Sequence, residues 1–287
     1  MKKVLLCPSE RPGVSLLAQS VPLVQVPMLG QGLVEYWLSH LACANVKQVD
    51  LLVHDRPELV RALVGNGDRW GLKVQLLSES RELTPAQVLL KYEKEGMPLK
   101  NEIEVLDHFP GYPKQNLFDS FGSWFAGVRS WIPHACTPDR VGVRECRPGV
   151  WTGLHSLISP DASCHPPCWI GRNVFVEDGA EIGPHAIVED GSIIESAATI
   201  VDSHVGADTF VGQGSEIKES LAWGRTLVNW RTGSNTQVPD AFVLCALRQG
   251  HGLKTTGWFE RLKELCSREK TEEAELLLKH FLFKKEG

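Results

Sequence analysis

Between positions 158 and 221 the apolar residues recur at every sixth place: Ile158, Cys164, Ile170, Val176, Ile182, Val188, Ile194 and Ile200. Neither the 3.6-residue period of a helix nor the alternation of an ordinary strand gives this spacing, so it points to an axial, stacked structure. Four residues after each of these comes a mostly small side chain: Ala162, Cys168, Val174, Ala180, Ala186, Ser192 and Ala198. Such hexapeptides form the faces of a triangular coil, the aliphatic residue inside and the small one near a corner, and three of them close a turn. Gly171, Gly179, Gly183 and Gly191 fall where the turning backbone needs freedom or lacks room for a side chain. After Ile200 the register shifts by one and continues at Val205, Val211 and Ile217, which predicts one irregular five-residue corner. The pattern predicts a parallel β-helix over 150–249, with Val150-Trp151-Thr152-Gly153 and Pro160 in an entry coil and caps over the unpaired edges.

The flanking segments follow other periods. Positions 33–41 read as an amphipathic helix, 49–53 as a buried strand, 57–63 as a helix opened by Pro57, and 72–77 as another strand. Strand, helix, strand, helix, strand is the order of a parallel α/β layer, here a truncated Rossmann-like domain over 1–107. An aromatic-rich connector spans 108–149. Within it Leu117, Phe121, Trp124, Phe125 and Val128 share one helical face, with Asp119 or Asn116 near the start. Packing between domains is the plain reading of that face; the alternative is an in-plane membrane helix, for which Arg129 is the only nearby cation. A run at 241–247 reads as strand. Beyond Gly250-His251-Gly252 a helical tail over 250–287 carries two amphipathic stretches, around Trp258 to Cys266 and Ala274 to Leu282, which either cover the coil or make an oligomer contact. The fold class is thus α/β plus β.

Composition narrows the partners. With 43% apolar residues in 287, a buried core is within reach, and a formal charge of -5 gives no general attraction to nucleic acid or anionic membrane. No stretch approaches the roughly 20 apolar residues of a spanning helix, and the N-terminal apolar run is too short for a signal peptide. Eight scattered cysteines without a C-x-x-C pair suit reduced thiols and a cytoplasmic location. Cys164-His165-Pro166-Pro167-Cys168 reads as small core residues rather than a metal site, because no second ligand pair accompanies it.

The stretch Pro22-Leu23-Val24-Gln25-Val26-Pro27-Met28-Leu29-Gly30-Gln31-Gly32-Leu33-Val34-Glu35-Tyr36-Trp37-Leu38 resembles the nucleotide-sugar pyrophosphorylases, or sugar-phosphate nucleotidyltransferases. Gly65-Asn66-Gly67-Asp68-Arg69-Trp70-Gly71-Leu72 is similar to that family's turn before a strand. The resemblance implies a nucleotidyltransferase-like domain followed by a left-handed β-helix, as many members carry, and a place in nucleotide-sugar or cell-envelope polysaccharide metabolism. It also implies a sugar phosphate or nucleotide sugar as ligand, with Mg²⁺ if transfer activity survives.

The family's glycine-rich phosphate loop, however, is replaced by Cys7-Pro8-Ser9-Glu10-Arg11-Pro12-Gly13, in which two prolines remove donors and only Arg11 retains a role. The lysine expected after Pro22 is Leu23, and Asp107 is not assigned a metal. Too little chain follows position 77 for the missing strands, so a shortened, catalytically degenerate or regulatory member is expected, and whether it is an enzyme stays open.

Two further readings remain. Hexapeptide acyltransferases use a histidine base against acyl-CoA, and His155, His165, His185 and His204 are candidates, with His185 placed outward by the repeat. A structural subunit assembling through the coil, as a trimer, a dimer or with a partner subunit, is the other. Where the repeat ends, Trp223, Arg225, Asn229, Trp230, Arg231, Thr232, Ser234 and Asn235 suggest either a stack-and-clamp site for a sugar phosphate or a capping coil.

Overall fold

A computed structural model describes residues 2–94, 103–109, 116–137 and 140–247; the expected tail helices lie outside the described residues. Four apolar runs form parallel strands β1 (Lys2–Leu6), β2 (Gln48–Val53), β3 (Lys73–Ser78) and β4 (Ile103–Leu106), in the order β3-β2-β1-β4. Residues of β2 are buried on both faces, as a parallel sheet covered by helices requires. Leu5, Val49, Leu51 and Val53 face a core with α1 (Leu33–Cys43) and α2 (Pro57–Val64), whereas Val4, Leu6 and Leu52 face Val88 and Tyr92 of α3 (Pro85–Lys94). Helix α1 starts where Glu35 reaches back to accept from the Gly32 N–H at 3.0 Å, and it buries Tyr36 and Trp37 completely.

From β1 the chain steps outward to β2 and β3, then returns past β1 to place β4 on its other side. The two directions part between the carboxyl ends of β1 and β4. In open parallel sheets that gap is where a crevice forms.

The six-residue pattern becomes a stack in which the chain visits three sheets in rotation. Ile158, Val176, Ile194 and Val211 align on the first face, Cys164, Ile182, Ile200 and Ile217 on the second, and Ile170, Val188, Val205 and Ala222 on the third. Partners are eighteen residues apart until the five-residue step after Ile200 and seventeen across it; Val205 and Ala222 are also seventeen apart, because a second five-residue step, beyond the one expected, separates Ile217 from Ala222. These side chains, with the small residues Cys168, Ala180, Ala186 and Ala198, fill one apolar interior. Corners lie in columns of left-handed backbone: Asn173, Gly191 and Asp208 at one, Gly179, Ala197 and Gly214 at the next, His185, Asp202 and Glu219 at the third. Glycine, asparagine and aspartate tolerate that conformation best. Gly183 shows a second constraint, since its φ is +102° and a Cβ there would lie 2.0 Å from the His165 carbonyl oxygen.

The third face is longer than the others. It begins with β5 (Val143–Arg147), antiparallel to β6 (Val150–Gly153), and ends in an antiparallel meander of Ser220–Trp223, Thr226–Asn229 and Asn235–Gln237. At the other end of the first face Leu244–Ala246 pairs antiparallel with Thr209–Val211, so the run expected at 241–247 is strand only in its last part.

Outward residues separate the faces. The second presents Ser163, Glu181, Thr199 and Glu216; the third presents Trp151, Trp169, Ile187, His204 and Leu221. Helix α4 (Phe121–Trp131) buries Trp124, Phe125 and Val128 in a core that includes Trp169, Ile187 and Leu221 of that ladder together with α1 and β2. Its cap is Ser120, whose hydroxyl accepts from the Ser123 N–H at 3.1 Å, in place of the expected Asp119 or Asn116. Leu117 belongs to the preceding turn. The aromatic face is therefore internal packing, and residues Met1–Ala246 form one unit with the core running from the layer to the stack. Among the described residues no helix is long and apolar enough to cross a membrane.

Candidate functional site

At the parting of β1 and β4 lies a cleft of about 210 Å³ with walls of Leu6, Leu33, Leu117 and Phe118. Its polar lining includes Arg11, Glu82, Asp107, His108, Asn116 and Asp119. Pro8 and Pro12 bracket the loop after β1 and bring Arg11 over the strand end. Arg11 donates two parallel hydrogen bonds to Glu82, Nη1 to Oε2 at 2.7 Å and Nη2 to Oε1 at 2.5 Å. The Ser9 N–H donates to the same Oε2 at 3.2 Å, and Arg11 also holds the Ser9 carbonyl at 3.0 Å. That fork shifts both groups: the bond to Glu82 raises the Arg11 guanidinium further, and although burial alone would raise the Glu82 carboxyl, the guanidinium holds it below the usual carboxylate range. His108 Nδ1 lies 2.9 Å from Asp107 Oδ1, and the His108 carbonyl accepts from Trp37 Nε1, which ties this wall to α1.

A second polar cluster joins the layer to the stack. Glu189 and His204, on the outside of the third face, are both wholly buried, with His204 Nε2 3.1 Å from Glu189 Oε1. The Glu189 carboxylate accepts from two successive backbone amides of the layer, Leu29 N–H at 2.6 Å and Gly30 N–H at 2.7 Å. Leu29 and Gly30 have φ of +57° and +78°, so their N–H groups converge as in an anion-binding nest. Arg140 closes the surround: it donates to the Leu29 carbonyl, to the Tyr36 hydroxyl at 3.1 Å and to the Ala135 carbonyl at 2.9 Å, and lies 4.8 Å from the Trp169 ring centre. His204 packs edge-on to Trp124 and stacks with Trp223. A buried carboxylate with three hydrogen-bond partners fixes the docking of the two parts.

The residues singled out from the sequence are dispersed. Arg11 lies in the cleft. Trp223 packs on the outer side of the third face, over Gly206 and His204. Arg225 is exposed and donates to the carbonyls of Val238 and Pro239. The Asn229 side-chain oxygen accepts from the N–H groups of Arg231 and Thr232, at 3.0 Å each, closing the turn after the hairpin. Trp230 donates to the Asp202 carbonyl at 2.8 Å and packs on Phe125, while Arg231 pairs with Glu219 at 2.6 Å and lies over Trp230. These groups are spent on protein partners and close the end of the stack. His185 is half-buried at a corner, and its Nδ1 has no hydrogen-bond partner among the described residues.

Cys164 and Cys168 are buried inside the stack, and burial pushes the Cys168 thiol up to about 12. No group of three or more acidic, histidine or cysteine side chains suited to a metal occurs among the described residues. Glu189 and His204 were not legible as a pair. The available signal was the outward position of the third face, apolar or histidine in successive circuits where the second face is polar. No protein-family model matches the chain, and no curated protein is significantly similar to it.

Proposed function

We propose that this chain is a catalytically silent relative of the sugar-phosphate nucleotidyltransferases, acting as a ligand-binding or regulatory protein in nucleotide-sugar or cell-envelope polysaccharide metabolism. In this reading the three-sheet stack is a left-handed β-helix of hexapeptide type. The observation that carries the proposal is the cleft at the β1–β4 parting, whose one guanidinium among the described residues, Arg11, is already paired with Glu82. Nucleotidyl transfer needs uncommitted cations around the phosphates as charge develops. Asp107 and Asp119 add negative charge to the same lining and oppose a triphosphate. A volume of about 210 Å³ suits one sugar-sized group rather than a whole nucleotide sugar, since sites for larger ligands run to roughly 300 Å³ and above.

Two measurements test this. Mg²⁺-dependent pyrophosphate exchange, run with a panel of nucleotides and sugar phosphates, is expected to stay at the buffer rate; turnover would overturn catalytic silence. Thermal shift against monosaccharides, sugar phosphates and nucleotide sugars is expected to show stabilisation by one class, because a ligand that binds only the folded chain raises its stability by mass action. No shift with any of them at millimolar concentration would overturn the ligand-binding reading.

A further inference from the structure

We infer that Glu82 is a built-in occupant of an anion site, a carboxylate of the chain itself standing where the oxyanion of a ligand would otherwise sit. The inference rests on reading the cleft as a ligand site. Three N–H donors converge on this one side chain, two from the edge of the Arg11 guanidinium and one from the Ser9 backbone, at 2.7, 2.5 and 3.2 Å. A guanidinium fork beside a backbone amide matches the oxygens of a phosphate as well as those of a carboxylate. All three donors belong to the loop after β1, whereas Glu82 comes from the separate segment between β3 and α3.

The occupant is suited to leave. Among residues 80–83 of the described chain, Glu82 is the one that hydrogen-bonds to another segment, while the ends are anchored by the Glu79 N–H to the Val53 carbonyl at 2.8 Å and by the mutual Thr84–Gln87 cap. The side chains of Arg11 and Glu82 are 36% and 27% exposed, so water screens the pair and its strength is that of a surface ion pair, equivalent to about fivefold in an equilibrium constant. An incoming dianion offers more charge and more acceptor oxygens than the carboxylate it replaces. Thr84 and Pro85, at the start of α3, also line the cleft.

The test is calorimetric titration of the full chain with inorganic phosphate at fixed ionic strength, comparing wild type, Glu82→Ala and the double variant Glu82→Ala with Arg11→Met. Unfolding midpoints are recorded in parallel to show that each is folded. Glu82→Ala is expected to bind phosphate about fivefold or more tightly than wild type, and the double variant to lose that gain. Equal affinity in wild type and Glu82→Ala, or a gain that survives Arg11→Met, overturns the inference. Sugar phosphates are titrated alongside: if both forms bind them equally, only the occupant role fails, whereas no binding of any probe by either form defeats the ligand-site reading with it.

Discussion

Glu189→Ala should destabilise the protein more than any change confined to the cleft. The substitution leaves the Leu29 and Gly30 amides and His204 Nε2 without their acceptor, with Leu29 and His204 closed to water and Gly30 half-buried. An orphaned buried donor costs roughly 1–3 kcal/mol, and removing one member of a buried charged cluster costs roughly 3–5 kcal/mol in total, so about 4 kcal/mol is expected. For a unit of this size each kcal/mol moves the midpoint by about 2–4 °C, which gives a fall of roughly 8–16 °C. Glu189→Gln keeps the shape but turns an NH₂ group toward one of the amides, for a loss of about 2–3 kcal/mol. Urea unfolding followed by tryptophan fluorescence gives the free energies, and native-state hydrogen exchange gives the local effect, with Leu29 and Gly30 amides losing protection first. A Glu189→Ala protein within about 1 kcal/mol of wild type, or one whose Leu29 and Gly30 amides exchange as before, would refute the reasoning.

Further outcomes follow from the same geometry. The Glu82 carboxyl is held below its ordinary 4.5 in the fold, so its contribution is complete above that value and is lost as pH falls through the depressed one. Glu82→Gln should flatten the acid limb of the stability curve by less than about 1 kcal/mol, and identical limbs would contradict the pairing. Burial raises the Asp190 carboxyl from 3.8, so its effect has the opposite sign: favourable below that value and lost as pH rises through the elevated one. Gly183→Ala, at φ +102° with a carbonyl 2.0 Å from the new Cβ, should cost about 3 kcal/mol or more, whereas Gly214→Ala, at φ +65° in open space, should cost about 1 kcal/mol; urea midpoints for the two decide it. Iodoacetamide at pH 8 should label exposed Cys43 and Cys146 in the folded chain and spare Cys7 and Cys168, whose buried thiols are pushed up; peptide mapping checks the order.

The interior of the stack was readable because each hexapeptide repeats the same environment, so Ile182 and Ile200 announce one another. Even the five-residue step after Ile200 could be placed, and the partner spacing changes there from eighteen to seventeen. Helices α1 and α2 were readable for a similar local reason. Glu189 was not, because its partners lie some 160 positions away and nothing in Val188-Glu189-Asp190 separates a buried carboxylate from a solvated one. Arg11 was identified as a phosphate ligand by type, but its pairing with Glu82 depends on a return loop whose path only the folded sheet determines. The polar group after Trp223 left two readings open in the sequence, a clamp or a capping coil. Arginine, tryptophan and asparagine together suggest a ligand clamp, and the same residue types also hold the turns of the antiparallel strands that end the third face.

The outward ladder of the third face has a consequence for how such a protein changes over time. Solenoids ordinarily lengthen or shorten by duplicating or dropping whole repeats, because each repeat meets only its neighbours. Here Trp169, Ile187, His204 and Leu221 occupy successive rungs, and all but His204 belong to the core shared with the layer, while His204 holds Glu189. Removing the circuit from Gly171 to Val188 would delete Ile187 and bring Trp169 next to His204. Inserting a circuit there would move His204 and Leu221 one rung away from Trp124. The number of circuits beneath α4 is therefore frozen by what lies on top of them, and length variation in relatives should be confined to the two ends of the stack.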